Sequence, residues 1–316
     1  MNCGAVIAAA GLSSRMGDFK PLLCLSEGTI IQRVVQSLQQ AGADPVVVVV
    51  GYKAEAIERH LAGSGVHFVR NEAYAETEMF DSIRLGLQRL AGQCDRVFLT
   101  PGDVPLVRPG TLQYMLACKG PAVRPLCEGR PGHPLLLDAA AAAAVADYTG
   151  PHGLMGAVRS LGIPLDGVET GDPGVLLEAD TPEDFQLLRS RDMELRSAGQ
   201  LWPDMQVQIR KHSAILTPEV AQLLEMIDHT GSIQSACFCT HMSYSRGWNL
   251  VKALEQELDW PVVTSQKGGA ARGGSALTAQ GRLLLQSYQR FREALKAEAE
   301  RLFSLHFPPE IQPRNP

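Results

Sequence analysis

No apolar run in this sequence approaches the roughly 20 residues that a bilayer-spanning helix needs, so no such helix is expected. The opening residues, MNCGAVIAAAG, lack the basic segment and long apolar core of a signal peptide. They read as a first strand, and the expectation is a cytoplasmic protein. Repeated cysteine pairs are missing too. The seven cysteines (3, 24, 94, 118, 127, 237 and 239) are odd in number and scattered, which argues for buried thiols and against a disulfide framework. The one close pair, Cys237-Phe238-Cys239, has no second cluster to complete four metal ligands. The Walker pattern G-x-x-x-x-G-K-[ST] is also absent, which points away from ATPases.

What is present is enough apolar material for a sizeable core: 45% hydrophobic against 20% charged over 316 residues, a length that suggests about two domains. The net charge of −5 divides unevenly, residues 1–205 carrying −7 and residues 206–316 carrying +2. A mildly basic second half points to an anionic partner.

The first half alternates strand and helix signals. Val46 to Val50 is a run of five valines, which reads as a strand buried on both faces. Residues 66–69 and 97–99 read as further strands. Ile30 to Ala41, Ala54 to Leu61 and Asp81 to Leu90 carry helical spacing. This rhythm predicts an α/β fold, a doubly wound, mostly parallel sheet, with ligands beyond the C-terminal strand ends. A helix from the DTPED segment to about Arg196 closes the half, so the expected domain covers residues 1–196, with a linker at 197–204. Beyond it, Met205 to Lys211 alternates like an edge strand. Three helices follow (218–229, 233–239 and 243–258), then two strands around the Gly-rich tip 267–274 and a long helix from Ala279 to about Leu305. This second domain spans 205–305, and a loose Pro-rich tail follows at 306–316. Trp248, inside the third helix, is expected in the core.

Two places carry chemistry in the first half. After the strand Ala5-Val6-Ile7 comes a turn of small residues with Gly11, Ser13 and Ser14, followed by Arg15 and Lys20. Small residues let backbone N–H groups approach phosphate oxygens, and spaced cations offset charge building on a leaving pyrophosphate. Asp103, in TPGDVP directly after the strand at 97–99, suits Mg²⁺, which takes oxygen ligands and bridges to phosphates. A turn Asp bonding its own backbone is the alternative. Asp180 is the second metal candidate, with a simple helix N-cap as its alternative.

Taken in order, GLSSRMG with Lys20, then Asn71, Ser82, GDVP at 102–105, GRPGHP at 129–134 and EADTPEDF at 178–185 resemble the nucleotidyltransferases that mature the molybdenum cofactor. The CTP-dependent cytidylyltransferase branch is the nearest in pattern. The resemblance spans residues 4 to 190 and implies a Rossmann-like nucleotidyltransferase domain with CTP and molybdopterin as substrates. By the same resemblance Arg15, Lys20 and Asp103 act in catalysis. Ala9, Ala10, Gly11, Ser13, Asn71, Ser82 and Gly102 contact the nucleotide, while Gly132 and His133 face the pterin acceptor. Mg²⁺ sits on Asp103 and Asp180. Molybdenum hydroxylases are the implied client enzymes.

The second half has its own likeness. Residues 206–290, with SYSRGW opening the third helix and a Gly-rich stretch ending in LTAQG, are similar to the winged helix-turn-helix domain of molybdate-responsive transcription regulators. That resemblance implies duplex DNA as partner, with Ser243, Tyr244, Ser245 and Arg246 reaching bases or phosphates and Lys267 and Arg272 on the phosphate backbone. It also implies a homodimer through the long helix. Two other readings stay open: a first domain that senses cofactor or nucleotide for a regulator, and a second domain that docks a protein.

Overall fold

The computed structural model describes residues 2–12, 19–26, 28–197, 205–266 and 274–307. It divides into two units, Met1–Asp192 and Met193–Pro316. Among the described residues no helix is long and apolar enough to cross a membrane.

The first unit runs β1 (Cys3–Ala9), α1 (Ile30–Gln40), β2 (Val46–Val50), α2 (Ala54–His60), β3 (His67–Arg70), α3 (Met79–Leu90) and β4 (Arg96–Pro101). It continues through α4 (Pro109–Ala117), β5 (Ala122–Cys127), β6 (Arg130–Pro131), β7 (Leu135–Asp138), α5 (Ala139–Asp147), α6 (Gly153–Ser160) and β8 (Leu165–Glu169). The last helix, α7 (Pro182–Ser197), runs across the division between the units. One sheet holds all eight strands in the order β3-β2-β1-β4-β7-β5-β6, with β8 beside β5. The β3-β2-β1-β4 half is parallel. Every residue of β1 and β2 is buried, as expected for strands covered by helices on both faces.

The sheet is mixed, because β7 enters antiparallel between β4 and β5. The GRPGHP segment makes this possible: Arg130 and Pro131 pair back onto β5, and the chain then returns as β7. On one face α3, α5 and α6 bring Ile83, Leu87, Val145 and Val158 against Val6, Val49 and Leu99. Gly86 allows the close approach of α3, since a Cβ there would come within 2.3 Å of Val6 Cγ1. On the other face Val34 and Leu38 of α1 and Leu112 of α4 surround Thr100 of β4.

The second unit contains β9 (Ile209–Arg210), β10 (Ala214–Leu216), α8 (Pro218–Thr230), α9 (Ile233–Cys239), α10 (Tyr244–Leu258), β11 (Val263–Gln266), β12 (Gly274–Leu277) and α11 (Ala279–His306). Each helix start is written in the sequence. Thr217, Ser232, Ser243 and Thr278 are N-caps whose side chains accept from the backbone N–H three residues on. Gly231, in the left-handed region at φ 69°, ends α8 and lets the chain turn into α9. Leu223, Ile227, Ala236, Val251, Leu254 and Val262 are among its fully buried side chains.

Two expectations are corrected in this unit, the length of the edge strand and the place of Trp248, and the buried thiols are found as expected. The edge strand at 205–211 shrinks to the two residues of β9, paired antiparallel with β10. Cys237 and Cys239 are buried, and Cys237 Sγ packs on Gly247, where a Cβ would lie only 2.2 Å away. They are core thiols. Trp248 is not in the core. It is 38% exposed, because the buried positions of α10 are Gly247, Val251 and Leu254, and residue 248 faces outward.

Candidate active site

The C-terminal ends of β1 and β4 lie side by side, and Gly102 N–H donates to Ala8 C=O across them at 2.9 Å. A Cβ on Gly102 would stand 3.1 Å from Ala9 Cβ, so glycine keeps the two strand ends close. A cavity of about 200 Å³ opens beyond them. Its lining combines Ala8 to Gly11 after β1, Lys20 and Pro21, the Pro101–Asp103 turn after β4, and residues of the 74–82 stretch leading into α3. This is where a parallel α/β sheet binds ligands.

Lys20 opens a short 3-10 turn, Lys20–Leu22, behind the buried Phe19. Its ammonium lies 2.7 Å from Asp180 Oδ1 and 3.4 Å from Asp103 Oδ2. The other Asp103 oxygen, Oδ1, is buried with no hydrogen-bond partner among the described residues. Burial pushes the Asp103 carboxyl above its ordinary value, Lys20 pulls it down, and the negative charges of Glu178 and Asp180 push it up again. The backbone fixes this grouping, since Ala179 N–H donates to Asp103 C=O at 3.1 Å.

Asp180 does not cap α7. Thr181 does so, its hydroxyl accepting from Asp184 N–H at 3.1 Å while Asp184 Oδ2 accepts from Thr181 N–H at 2.9 Å. That reciprocal box is closed without the Asp180 carboxylate, which reaches Lys20.

Other residues singled out from the sequence fall into different roles. Ala9, Ala10, Gly11, Ser82 and Gly102 line the cavity. Asn71 lies behind it, buried, its amide donating to Thr77 Oγ1 and Ser82 Oγ and its carbonyl accepting from Ala73 N–H. It braces the stretch that carries Ser82. Gly132 is a packing position, because a Cβ there would meet Val175 C=O at 2.3 Å. His133 lies off the cavity wall, with Nε2 3.4 Å from Glu178 Oε1. Ser13 and Arg15 lie outside the described residues. Tyr74, Thr77, Glu78 and Met79 also line the cavity and were not read from the sequence. The signal available was their place between Asn71 and Ser82.

In the second unit Ser243 is occupied as the cap of α10, accepting from Arg246 N–H at 3.3 Å and sharing a hydrogen bond with Ser245 Oγ at 3.2 Å. The Arg246 guanidinium reaches Glu219 at 2.9 Å. The open side of α10 presents Tyr244 stacked on Trp248, ring centres 6.4 Å apart and planes within 16°. Lys252 Nζ lies 4.9 Å from the Trp248 ring centre. Lys267 and Arg272 lie outside the described residues.

Residues 5–165 match the family model of the MobA-like NTP transferase domain, just over half of the chain. The chain belongs to this family. It is 29% identical over 192 residues to the molybdenum cofactor cytidylyltransferase of Escherichia coli K12, covering 60% of this chain and 97% of that protein. Among solved structures it resembles a nucleotidyl transferase from Methanothermobacter at 29% identity and a TM-score of 0.53, over 62% of this chain and 99% of that one. Rv0371c of Mycobacterium tuberculosis H37Rv, solved as a complex with manganese, matches at 25% identity and a TM-score of 0.51, over 60% of this chain and 99% of the other. The first unit is thus a nucleotidyltransferase of the MobA-like family, on a parallel-dominant mixed sheet.

Proposed function

We propose that the first unit transfers a cytidylyl group from CTP to molybdopterin in the maturation of a molybdenum cofactor. The observation that carries this reading is the Lys20–Asp103–Asp180 cluster beside the strand-end cavity. The terminal phosphate of molybdopterin attacks the α-phosphorus of CTP, and the bond to the β-phosphate breaks to release pyrophosphate. The nucleophile is already an anion, so the residues need to align it and offset charge, with no strong base. Ala10 and Gly11 offer close backbone approach to the phosphates, and Lys20 and Arg15 supply positive charge.

The donor set fits Mg²⁺. Asp103 and Asp180 bring hard carboxylate oxygens together around one ammonium, the ligand type that Mg²⁺ takes. A bound Mg²⁺ would neutralise charge on the triphosphate as pyrophosphate leaves. Under this reading Gly132 and His133, the latter beside Glu178 at 3.4 Å, would face the pterin acceptor, and molybdenum hydroxylases would receive the product in the cytoplasm.

For the second unit we propose a winged helix-turn-helix that binds duplex DNA as a homodimer paired through α11. The order α8-α9-α10 followed by the β11–β12 hairpin supports it, as do the exposed Tyr244 and Ser245 on α10. Lys267 and Arg272, between β11 and β12 in sequence, would meet phosphates.

The deciding experiment is pyrophosphate release from each nucleoside triphosphate with molybdopterin present. CTP-specific release is the expected outcome. No release with any nucleotide would overturn the transfer reading in favour of a nucleotide or cofactor sensor. For the second unit, duplex binding is followed against salt. A steep salt dependence is expected, and its absence would favour a protein-docking role.

A further inference from the structure

We propose that Lys20 holds the place of the divalent ion until nucleotide arrives, so that ion and nucleotide bind cooperatively and Lys20 passes from the carboxylates to the phosphates. This inference rests on the reading of the site as one for a divalent ion and a nucleoside triphosphate, but not on the identity of the acceptor.

The argument begins with the lysine. A buried ammonium is stable only when paired, and Lys20, 11% exposed at its side chain, is paired twice. Its shorter contact, 2.7 Å, takes Asp180 Oδ1, and its longer one, 3.4 Å, takes Asp103 Oδ2. Asp103 thus has two different oxygens: Oδ2 faces the lysine, while Oδ1 is buried with no partner among the described residues. With Oδ1 closed off, an ion meets Asp103 at Oδ2, the oxygen that already faces the ammonium, and it meets the same ammonium at Asp180 Oδ1. A divalent ion and an ammonium on the same carboxylates repel each other at short range, where burial weakens screening.

The ammonium has somewhere to go once a triphosphate is present. Lys20 lines the same cavity as Gly11 and Gly102, so phosphate oxygens there would replace the carboxylates as its partners. Nucleotide therefore removes the penalty that the ion alone meets. By linkage the coupling is reciprocal: whatever Lys20 does to the ion's affinity through the nucleotide, it does to the nucleotide's affinity through the ion. The arrangement also keeps the carboxylates neutralised and in place when no ion is bound.

The test is Mn²⁺ binding by electron paramagnetic resonance, with and without CTP and always without molybdopterin, on the full chain. For the wild-type protein, weak Mn²⁺ binding is expected alone and much tighter binding with CTP. Lys20→Met, which removes the charge at similar volume, should bind Mn²⁺ alone about ten- to a hundredfold more tightly and should lose part of the tightening that CTP brings. Lys20→Arg, which keeps the charge, should stay weak. Mn²⁺ alone binding Lys20→Met no tighter than wild type would overturn the proposal, as would an equal effect of CTP on both.

A second measurement needs no variant: the rate of Lys20 reductive methylation in the wild-type protein, read by peptide mass spectrometry. Saturating Mn²⁺ alone should raise that rate, and adding CTP should lower it again. A rate unchanged by Mn²⁺ would sink the idea even if Lys20→Met failed to fold. Neither readout depends on transfer, so both outcomes in a protein that releases no pyrophosphate would keep this inference and remove the cytidylyl-transfer reading alone. Absence of Mn²⁺ binding in every protein would remove the inference and the metal assignment together.

Discussion

Lys20 in the first unit and Lys252 in the second are both cations beside a proposed ligand, and their surroundings are opposite. Lys20 is 11% exposed and held between Asp103 and Asp180. Lys252 is 48% exposed, lies over the Trp248 ring and reaches Glu255 at 2.8 Å. A buried charge has few partners and weak screening, so each partner matters greatly. An exposed charge is solvated and screened, and its loss is felt mainly when a polyanion arrives. The first unit should therefore respond to single substitutions by orders of magnitude, and the second in small increments.

The largest expected effect is at Asp103. Asp103→Ala should lower pyrophosphate release by about a thousandfold or more, the scale of losing a group that stabilises developing charge, while circular dichroism stays unchanged. Near-normal CTP turnover would break the comparison at its strongest point.

Packing should erase the difference between the units. Gly86 lies against Val6 and Gly247 against Cys237, with Cβ clearances of 2.3 and 2.2 Å. Overpacking costs about 1–3 kcal/mol, and replacing a helical glycine by alanine returns up to about 1 kcal/mol. Gly86→Ala and Gly247→Ala should each destabilise their own unit by about 1–2 kcal/mol in urea titration. A much smaller loss at Gly247 would mean that the second unit is packed more loosely than its buried core implies.

The same contrast explains what was legible in the sequence. Strands of the first unit show as uninterrupted apolar runs, and Val46–Val50 is found at its read limits. Helices of the second unit are found within a residue of their read limits, their starts capped by Thr217, Ser232, Ser243 and Thr278. The strand β7 was not read, because Leu135-Leu136-Leu137 is too short for periodicity to show, and nothing local reveals that it enters antiparallel between β4 and β5. In the site, Asp103 was legible from its position after a strand. That Lys20 and Asp180 meet was not, because 160 residues separate them and only the tertiary fold joins them. Asn71 was read as a nucleotide contact, yet its amide is used within the protein. Sequence singles out a polar residue near a site without saying which way it faces. Trp248 shows the reverse, a large aromatic read as core that the helix turns outward.

That outward position gives a sharper test of the second unit. Trp248→Ala should cost about 1 kcal/mol or less in stability, where a core tryptophan would cost about 3–5 kcal/mol. Under the DNA reading the same variant should weaken duplex binding, and Lys252→Ala should lower the slope of log affinity against log salt by about one. A large stability loss at Trp248 with unchanged duplex binding would return that residue to a structural role.

The smallest effect is the one most specific to an exposed surface. Arg246 and Glu219 pair at 2.9 Å, with the arginine side chain mostly exposed and the glutamate partly so. Such a pair contributes little, about 0–1 kcal/mol, so Glu219→Gln should leave the urea midpoint almost unchanged. It should nevertheless free the guanidinium and remove a negative charge close to the start of α10. Duplex affinity should rise by a few fold, and the salt slope should steepen by about one if Arg246 then engages a phosphate. The direction is informative, because removing a partner from Lys20 in the first unit is expected to weaken the site that it serves. A fall in duplex affinity with Glu219→Gln would show that the pair positions Arg246 for contact, making this exposed pair an organising one after all.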